Sequence, residues 1–361
     1  MVSNDTQILT APKRVKDTHF ADRVFRKILR LIAWSMIGIM LAIFVLLLKL
    51  ALPSLSKFGF HFISGTDWNP PIDIFGALPF IYGTLMSSFL AILIAGPISL
   101  GVALFLTELA PKPVKKVVSF FVEMLAAIPS VVYGLWGVFV LVPFMQKYVQ
   151  PALIHGLGPH TTFANVLAKL LTALVYPVVL TSQIFHLNNW SLEETSQMMI
   201  QFSDQIFAGP GYGVGLFTGS IILAIMIVPT ISSISREVFS SVPSQTREAS
   251  LALGATRWEM IRMSVLASTQ SGILGAIILG LGRALGETMA VTMVIGNRND
   301  LRPAILAPAQ TMASVIANEY NEASGLHLSS LVAVGLCLLM ISLLVNSIAR
   351  FIIWRVERER A

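Results

Sequence analysis

"LIAWSMIGIMLAIFVLLL", residues 31–48, is a run of 18 uncharged residues, and its reading decides the class of fold. As a helix it nearly covers a hydrocarbon core of about 30 Å, which takes about 20 residues. The run follows a basic tail, so a secretory signal peptide is the competing reading. Such a signal has an apolar region of roughly 7–15 residues and a small-residue cleavage site. This run is longer, and "KLALPSLS" (49–56) behind it is a poor cleavage site. The stretch therefore reads as a retained first transmembrane helix over residues 31–52, preceded by a cytoplasmic basic tail over 1–30.

The rest of the chain agrees. Of 361 residues, 55% are apolar and only 12% charged, against roughly 25% charged in a soluble globular protein. Five further apolar runs are long enough to cross, near Pro79–Leu106, Val117–Phe144, Leu216–Ser235, Ile273–Ile295 and Leu326–Trp354. Backbone groups cannot go unpaired in lipid, so these runs are expected to be helices. The fold expected is an all-α integral membrane protein with six transmembrane helices and a permease domain over 79–356. The net charge of +6 is no sign of nucleic-acid binding. The basic residues form no groove-lining patch with interleaved aromatics but cluster at the ends of apolar runs. Of 25 lysines and arginines, 18 lie in the N-tail, the 112–116 loop, the 236–262 stretch and the C-terminal end, which puts both termini in the cytoplasm. The lone Cys337 excludes an internal disulfide framework. No His/Cys cluster has metal-ligand spacing, and neither a metal nor a cofactor is expected.

"FANVLAKLLTALVYPVVLTSQIF" (163–185) is long enough to cross but would invert every later loop. Pro177 divides it into 164–176 and 178–185, each too short to span. It reads as two short helices on or dipping into the outer leaflet, part of an outer-side insertion over about 146–215. A genuine extra span is the alternative.

"GLGRALGETMAV" (280–291) places two opposite charges four residues apart inside the fifth run. With that span beginning near Ile273, Arg283 lies about 15 Å deep. A central arginine costs on the order of 2.5–3.5 kcal/mol on insertion scales. On a continuous helix Glu287 shares its face one turn away. A purely structural pair is one reading, but apolar replacement of such pairs is often neutral or stabilising, so their presence suggests a use. Gly282 and Gly286 in G-x3-G spacing let a neighbouring helix approach closely. Ser130 and Tyr133 beside Pro129, and Thr230 beside Pro229, are secondary candidates that offer hydroxyls or freed carbonyls to a pathway. Glu108 and Glu123 read as solvated groups near the cytoplasmic boundary.

A cytoplasmic loop over about 236–272 contains "PSQTREASLALGATRWEMIRMSVLA" (243–267), two helical pieces joined at Gly254. Glu248-Ala249-Ser250, three residues and Gly254 resemble the E-A-A-x3-G signature of ABC-importer permeases. Ser250 replaces the second alanine, and Ala267 stands where the family usually has proline. "GALPFIYGTLMSS" (76–88), "ALFLTELAP" (103–111), "LAAIPSVVYGLWG" (125–137), "GLGRALGETMAVTMVIGN" (280–297) and "ANEYNEASGLH" (317–327) are similar to phosphate-specific ABC transporter permeases of PstC type. The resemblance covers most of 55–361 and thins over 153–205. It implies an ABC-importer permease fold and a place in a bacterial plasma (inner) membrane. It also implies a PstA-type second permease, two copies of an ATP-binding subunit and an external phosphate-binding protein as partners. Arg247, Glu248, Ala249 and Gly254 are then the residues expected to couple the chain to the ATPase. The chain itself has no G-x4-G-K-[ST] phosphate loop, so ATP hydrolysis falls to partner subunits.

Phosphate gives Arg283 and Glu287 a use. A guanidinium presents a planar fork that matches phosphate oxygens. Phosphate near neutral pH still carries a proton that a carboxylate can accept; sulfate carries none and meets only repulsion. The substrate pathway is therefore assigned to Arg283 and Glu287. The competing functions are a permease for another oxyanion such as molybdate or sulfate, and a secondary transporter or channel acting alone. A lone carrier has no reason to present a docking helix. An integral membrane enzyme is a third class, for which no nucleophile–base set is visible.

Overall fold

A computed structural model describes residues 18–159 and 205–358, together with the isolated positions 161, 162, 166, 197 and 200. The stretch 163–185, read above as two short helices, and nearly all of 160–204 lie outside the described residues. The chain divides into two units, one ending at Lys49 and the other beginning at Leu50. The first consists of the leading part of helix α1 (Thr18–Phe58), which carries the apolar run in one continuous helix and extends beyond the expected 31–52 on both sides.

The second unit holds the remaining elements. A two-stranded hairpin, β1 (Trp68–Asn69) and β2 (Ile74–Phe75), precedes α2 (Leu78–Leu104), which ends in a π-helical turn over Phe105–Leu109. Next come α3 (Lys112–Ala127), α4 (Ser130–Leu157) and α5 (Leu216–Ser240). The loop elements α6 (Ser244–Ala252) and α7 (Arg257–Leu266) lead to α8 (Gln270–Gly286), then α9 (Met289–Val294), α10 (Met312–Glu319) and α11 (Gly325–Arg358). Among the described residues, α1, α2, α4, α5 and α11 are each long and apolar enough to cross a membrane, and the α7–α8 pair, bent by 74°, makes a sixth candidate. The protein is an all-α, multi-pass membrane protein.

Two expected spans are corrected. The third is not continuous over Val117–Phe144. Proline restrains the residue before it to extended geometry, and Ile128 before Pro129 has φ −68° and ψ 129°. The helix stops, and Lys112–Ala127 becomes a separate amphipathic piece with no buried side chain. The crossing segment starts at Ser130 instead. Within α4, π-helical turns over Gly137–Leu141 and Met145–Val149 fall just before Pro143 and Pro151. Each proline lacks the N–H that would close the preceding turn, and a widened turn absorbs that loss. The fifth expected span, Ile273–Ile295, is likewise interrupted. Helix α8 ends at Gly286, and Glu287 is extended at φ −71° and ψ 128°.

Helices α2 and α5 form the centre with α8. Small residues allow close approach: Ala91, Ala95, Ala224, Ala276 and Ala284 are buried together with Leu223, Ile227 and Ile231. A methyl group added at Gly280 would stand 2.7 Å from the side chain of Ile231, so α8 can lie against α5 there only without a side chain. Gly282 and Gly286, expected to make that approach, instead face open space. Helix α4 packs on the other flank of α5, where Tyr133, Leu141 and Met145 meet Ile222, Met226, Ala290 and Val294. At the end away from the basic loops, Glu319 on α10 gathers three elements. It accepts from Trp68 Nε1 at 2.9 Å and pairs with His327 Nε2 at 2.8 Å. The Phe75 ring stacks on His327 with centroids 5.5 Å apart.

Candidate functional site

The five residues considered for a substrate pathway sit on three helices and on the link between α8 and α9. Arg283 lies in the last turn of α8, where the negative end of the helix dipole favours a cation. Its Nη1 donates to Thr230 Oγ1 at 3.0 Å, near the middle of α5. Glu287 does not share its helix face, because the helix has already ended. Its Oε1 accepts the Ala290 N–H at 3.3 Å and so caps the first turn of α9. The expected shared face is therefore absent, and the purely structural reading finds no ion pair: among the described residues no salt bridge joins Arg283 to Glu287 or to any other carboxylate. Among the described residues, the half-buried guanidinium keeps donors free and the carboxylate keeps one oxygen.

Thr230, a secondary candidate, is thus the residue that orients Arg283. Tyr133 is buried on α4, within electrostatic reach of Arg283, and its hydroxyl donates to the Leu125 carbonyl at 2.8 Å. It also lines an apolar cavity of about 310 Å³ with Leu125, Ile128, Val132, Trp136 and Ile225. Ser130 opens α4 behind Pro129 and is linked to Arg283 by no hydrogen bond.

The second set lies on the loop between α5 and α8. Gly254 has a φ of +88°, a left-handed conformation that favours glycine. It turns the chain between α6 and α7. Thr256 then caps α7 through a reciprocal arrangement in which its hydroxyl accepts the Glu259 N–H and the Glu259 carboxylate accepts the Thr256 N–H at 2.8 Å. Helix α6 buries none of its residues. Glu248 and Ala249 point outward, and so do large apolar groups that sequence reasoning passed over: Leu253 is 90% exposed and Trp258 62%. Their signal was apolar side chains at odds with a charged loop.

Arg247 turns the other way. Its Nη2 lies 3.0 Å from Glu108 Oε1, its Nη1 donates to the Val242 carbonyl at 2.6 Å, and its Nη2 donates to the Phe239 carbonyl at 2.7 Å. Glu108, read from sequence as solvated, has only 7% of its side chain exposed. A carboxylate at a helix C-terminus opposes the dipole and requires a cation nearby, and that requirement was the available signal. Glu123 is 60% exposed, as expected, and pairs with Arg236 at 2.9 Å.

Comparison with known proteins resolves what this arrangement belongs to. Residues 96–358 match the model of the binding-protein-dependent transport system inner membrane component family. The chain belongs to this family. It is 41% identical over 341 residues to the phosphate transport system permease protein PstC of Pasteurella multocida (strain Pm70), covering 94% of each chain. It is 44% identical over 305 residues to the protein of the same name from Mesorhizobium japonicum, covering 84% of this chain and 81% of the relative. Among solved structures, an inward-facing chain of the MetNI methionine ABC transporter superposes with a TM-score of 0.52 at 15% identity, covering 80% of this chain and 99% of that one. At that identity the likeness establishes the shared permease fold alone. In this chain Arg283 stands part-buried at the end of α8 beside α5, and the α6–α7 loop is an exposed helix–turn–helix.

Proposed function

We propose that this chain is the membrane permease of an ATP-driven phosphate importer, set in a bacterial plasma membrane with both termini cytoplasmic. A PstA-type permease completes the passage, two copies of an ATP-binding subunit dock at the basic end, and an external phosphate-binding protein delivers the anion from the other side. The observation that carries this reading is Arg283. A membrane-depth arginine held, among the described residues, by a single hydroxyl and neutralised by no carboxylate is a cation waiting for an anion. Thr230 aims the guanidinium, its remaining donors bind phosphate oxygens in a fork, and the free oxygen of Glu287 accepts the proton that phosphate carries. That carboxylate repels sulfate, which has no proton to offer.

Exposed Glu248, Ala249, Leu253 and Trp258 form the face offered to an ATP-binding subunit, and Gly254 sets the angle between its two helices. Vesicles containing the complete transporter test the pathway. Arg283→Gln sharply lowers phosphate uptake while the complex still assembles, and Glu287→Gln narrows the preference for phosphate over sulfate. Wild-type phosphate uptake by an assembled Arg283→Gln complex would place the pathway elsewhere.

A further inference from the structure

Helix α6 is held to the body of the protein in an unusual way. It buries no side chain, so apolar packing contributes little to its attachment. Two polar links do the holding: Ser250 Oγ lies 2.5 Å from Ser264 Oγ on α7, and Arg247 reaches three acceptors on two other helices. The Phe239 carbonyl lies in the last turn of α5 and the Val242 carbonyl two residues past its end, where backbone acceptors run short of helical partners. Glu108 belongs to the π-helical turn that ends α2. One guanidinium therefore ties the ends of α2 and α5 to α6. Beneath it, Ala103, Phe239, Val242, Met260, Ile261 and Val265 form a buried apolar cluster that makes those ends a rigid seat.

From this geometry we infer that Glu108 and Arg247 form the joint through which movement of α6 reaches the spans, with Glu108 a positioning residue that acts through Arg247. The inference rests on the reading of α6 as the helix that meets the ATP-binding subunit. A displacement of α6 pulls α5 by its end carbonyls and α2 by Glu108. Thr230 lies nine residues from Phe239 along α5, a rise of about 13 Å, and Thr230 holds Arg283. The cation of the pathway and the joint at the basic end are thus fixed to the same rigid rod. Without the Glu108 carboxylate, Arg247 still holds the two carbonyls of α5 but loses its grip on α2, so α2 and α5 no longer move together.

The test uses the complete transporter in phosphate-loaded and phosphate-free vesicles, with uptake and ATP hydrolysis measured on the same preparation. Glu108→Gln is expected to lower phosphate moved per ATP hydrolysed roughly tenfold, within the span of coupling seen between distant sites. Complex yield and the hydrolysis rate stay near wild type. Glu108→Asp, which keeps the charge on a shorter arm, gives an intermediate ratio and carries the test should the glutamine variant fail to assemble. Glu123→Gln, which removes the exposed neighbouring pair, leaves the ratio unchanged. A wild-type ratio for Glu108→Gln overturns the inference, whether uptake is normal or falls only in step with complex yield. Leu253→Ser separates the two readings: if it fails to release the ATP-binding subunit, the docking face is wrong, whatever Glu108→Gln does.

Discussion

Arg247 and Arg283 both approach α5, one at its end and one near its middle, and they are treated very differently. Arg247 spends donors from all three of its nitrogens on a carboxylate and two carbonyls, on elements it fastens together. Arg283 is given, among the described residues, one hydroxyl and no counter-charge. A guanidinium has five N–H donors, and the number left unspent separates a cation that builds the protein from one reserved for a visitor. Partner count, rather than burial, makes the distinction, since both side chains are only partly covered.

The contrast can be broken most forcefully at Arg247. Arg247→Met leaves the Glu108 carboxylate buried without its cation, a loss of about 3–5 kcal/mol. Thermal unfolding in detergent should show a marked drop, and an unchanged transition would mean the pair is not structural. Arg283→Gln should leave that transition in place. It removes a charged hydrogen-bonding partner of the anion worth about 1.5–3 kcal/mol, which corresponds to roughly a 10- to 150-fold loss of phosphate uptake. Arg283→Lys retains part, because a point charge cannot reproduce the fork. Gly254→Val forces a branched side chain into a left-handed conformation at a cost of about 1–2 kcal/mol. Membrane insertion survives that change, while co-purification of the ATP-binding subunit and uptake are lost. The smallest effect belongs to Glu123→Gln. An exposed pair is worth about 0–1 kcal/mol, so unfolding and uptake should both stay near wild type. A large effect there would erase the line drawn between the two kinds of ion pair.

Much of this was legible in the residues, and the failures share one cause. Composition and apolar runs placed the spans, and Gly254 announced the turn between α6 and α7. The errors came from assuming that a helix, once begun, continues. The spacing of Arg283 and Glu287 is a face-sharing spacing only on unbroken helix, and the chain straightens at Glu287. Gly286 as a stop and the Glu287 side chain as a cap for the next turn were both in view. Ile128 before Pro129 carried the same warning. Glu108 was misread for a different reason: its surroundings are supplied by Arg247, far along the chain, and a charge near the end of an apolar run looks solvated until its partner arrives.

The interruption after Gly286 has a consequence for water. A straight helix spends its N–H and C=O groups on itself and can stand in oil, whereas an extended step between two helices leaves some of them unspent. Hydrocarbon offers nothing to satisfy such groups, so irregular backbone at membrane depth survives only where protein covers it or where it borders an aqueous cavity. Glu287 satisfies one N–H of α9 with its own side chain. Its own N–H donates to the Ala284 carbonyl at 3.4 Å, and the Gly286 carbonyl accepts the Thr288 hydroxyl at 3.3 Å. On the pathway proposed above, this irregular step four residues past Arg283 is where the bundle can stay hydrated, so an ion reaching Arg283 need not shed its whole water shell into lipid-like surroundings.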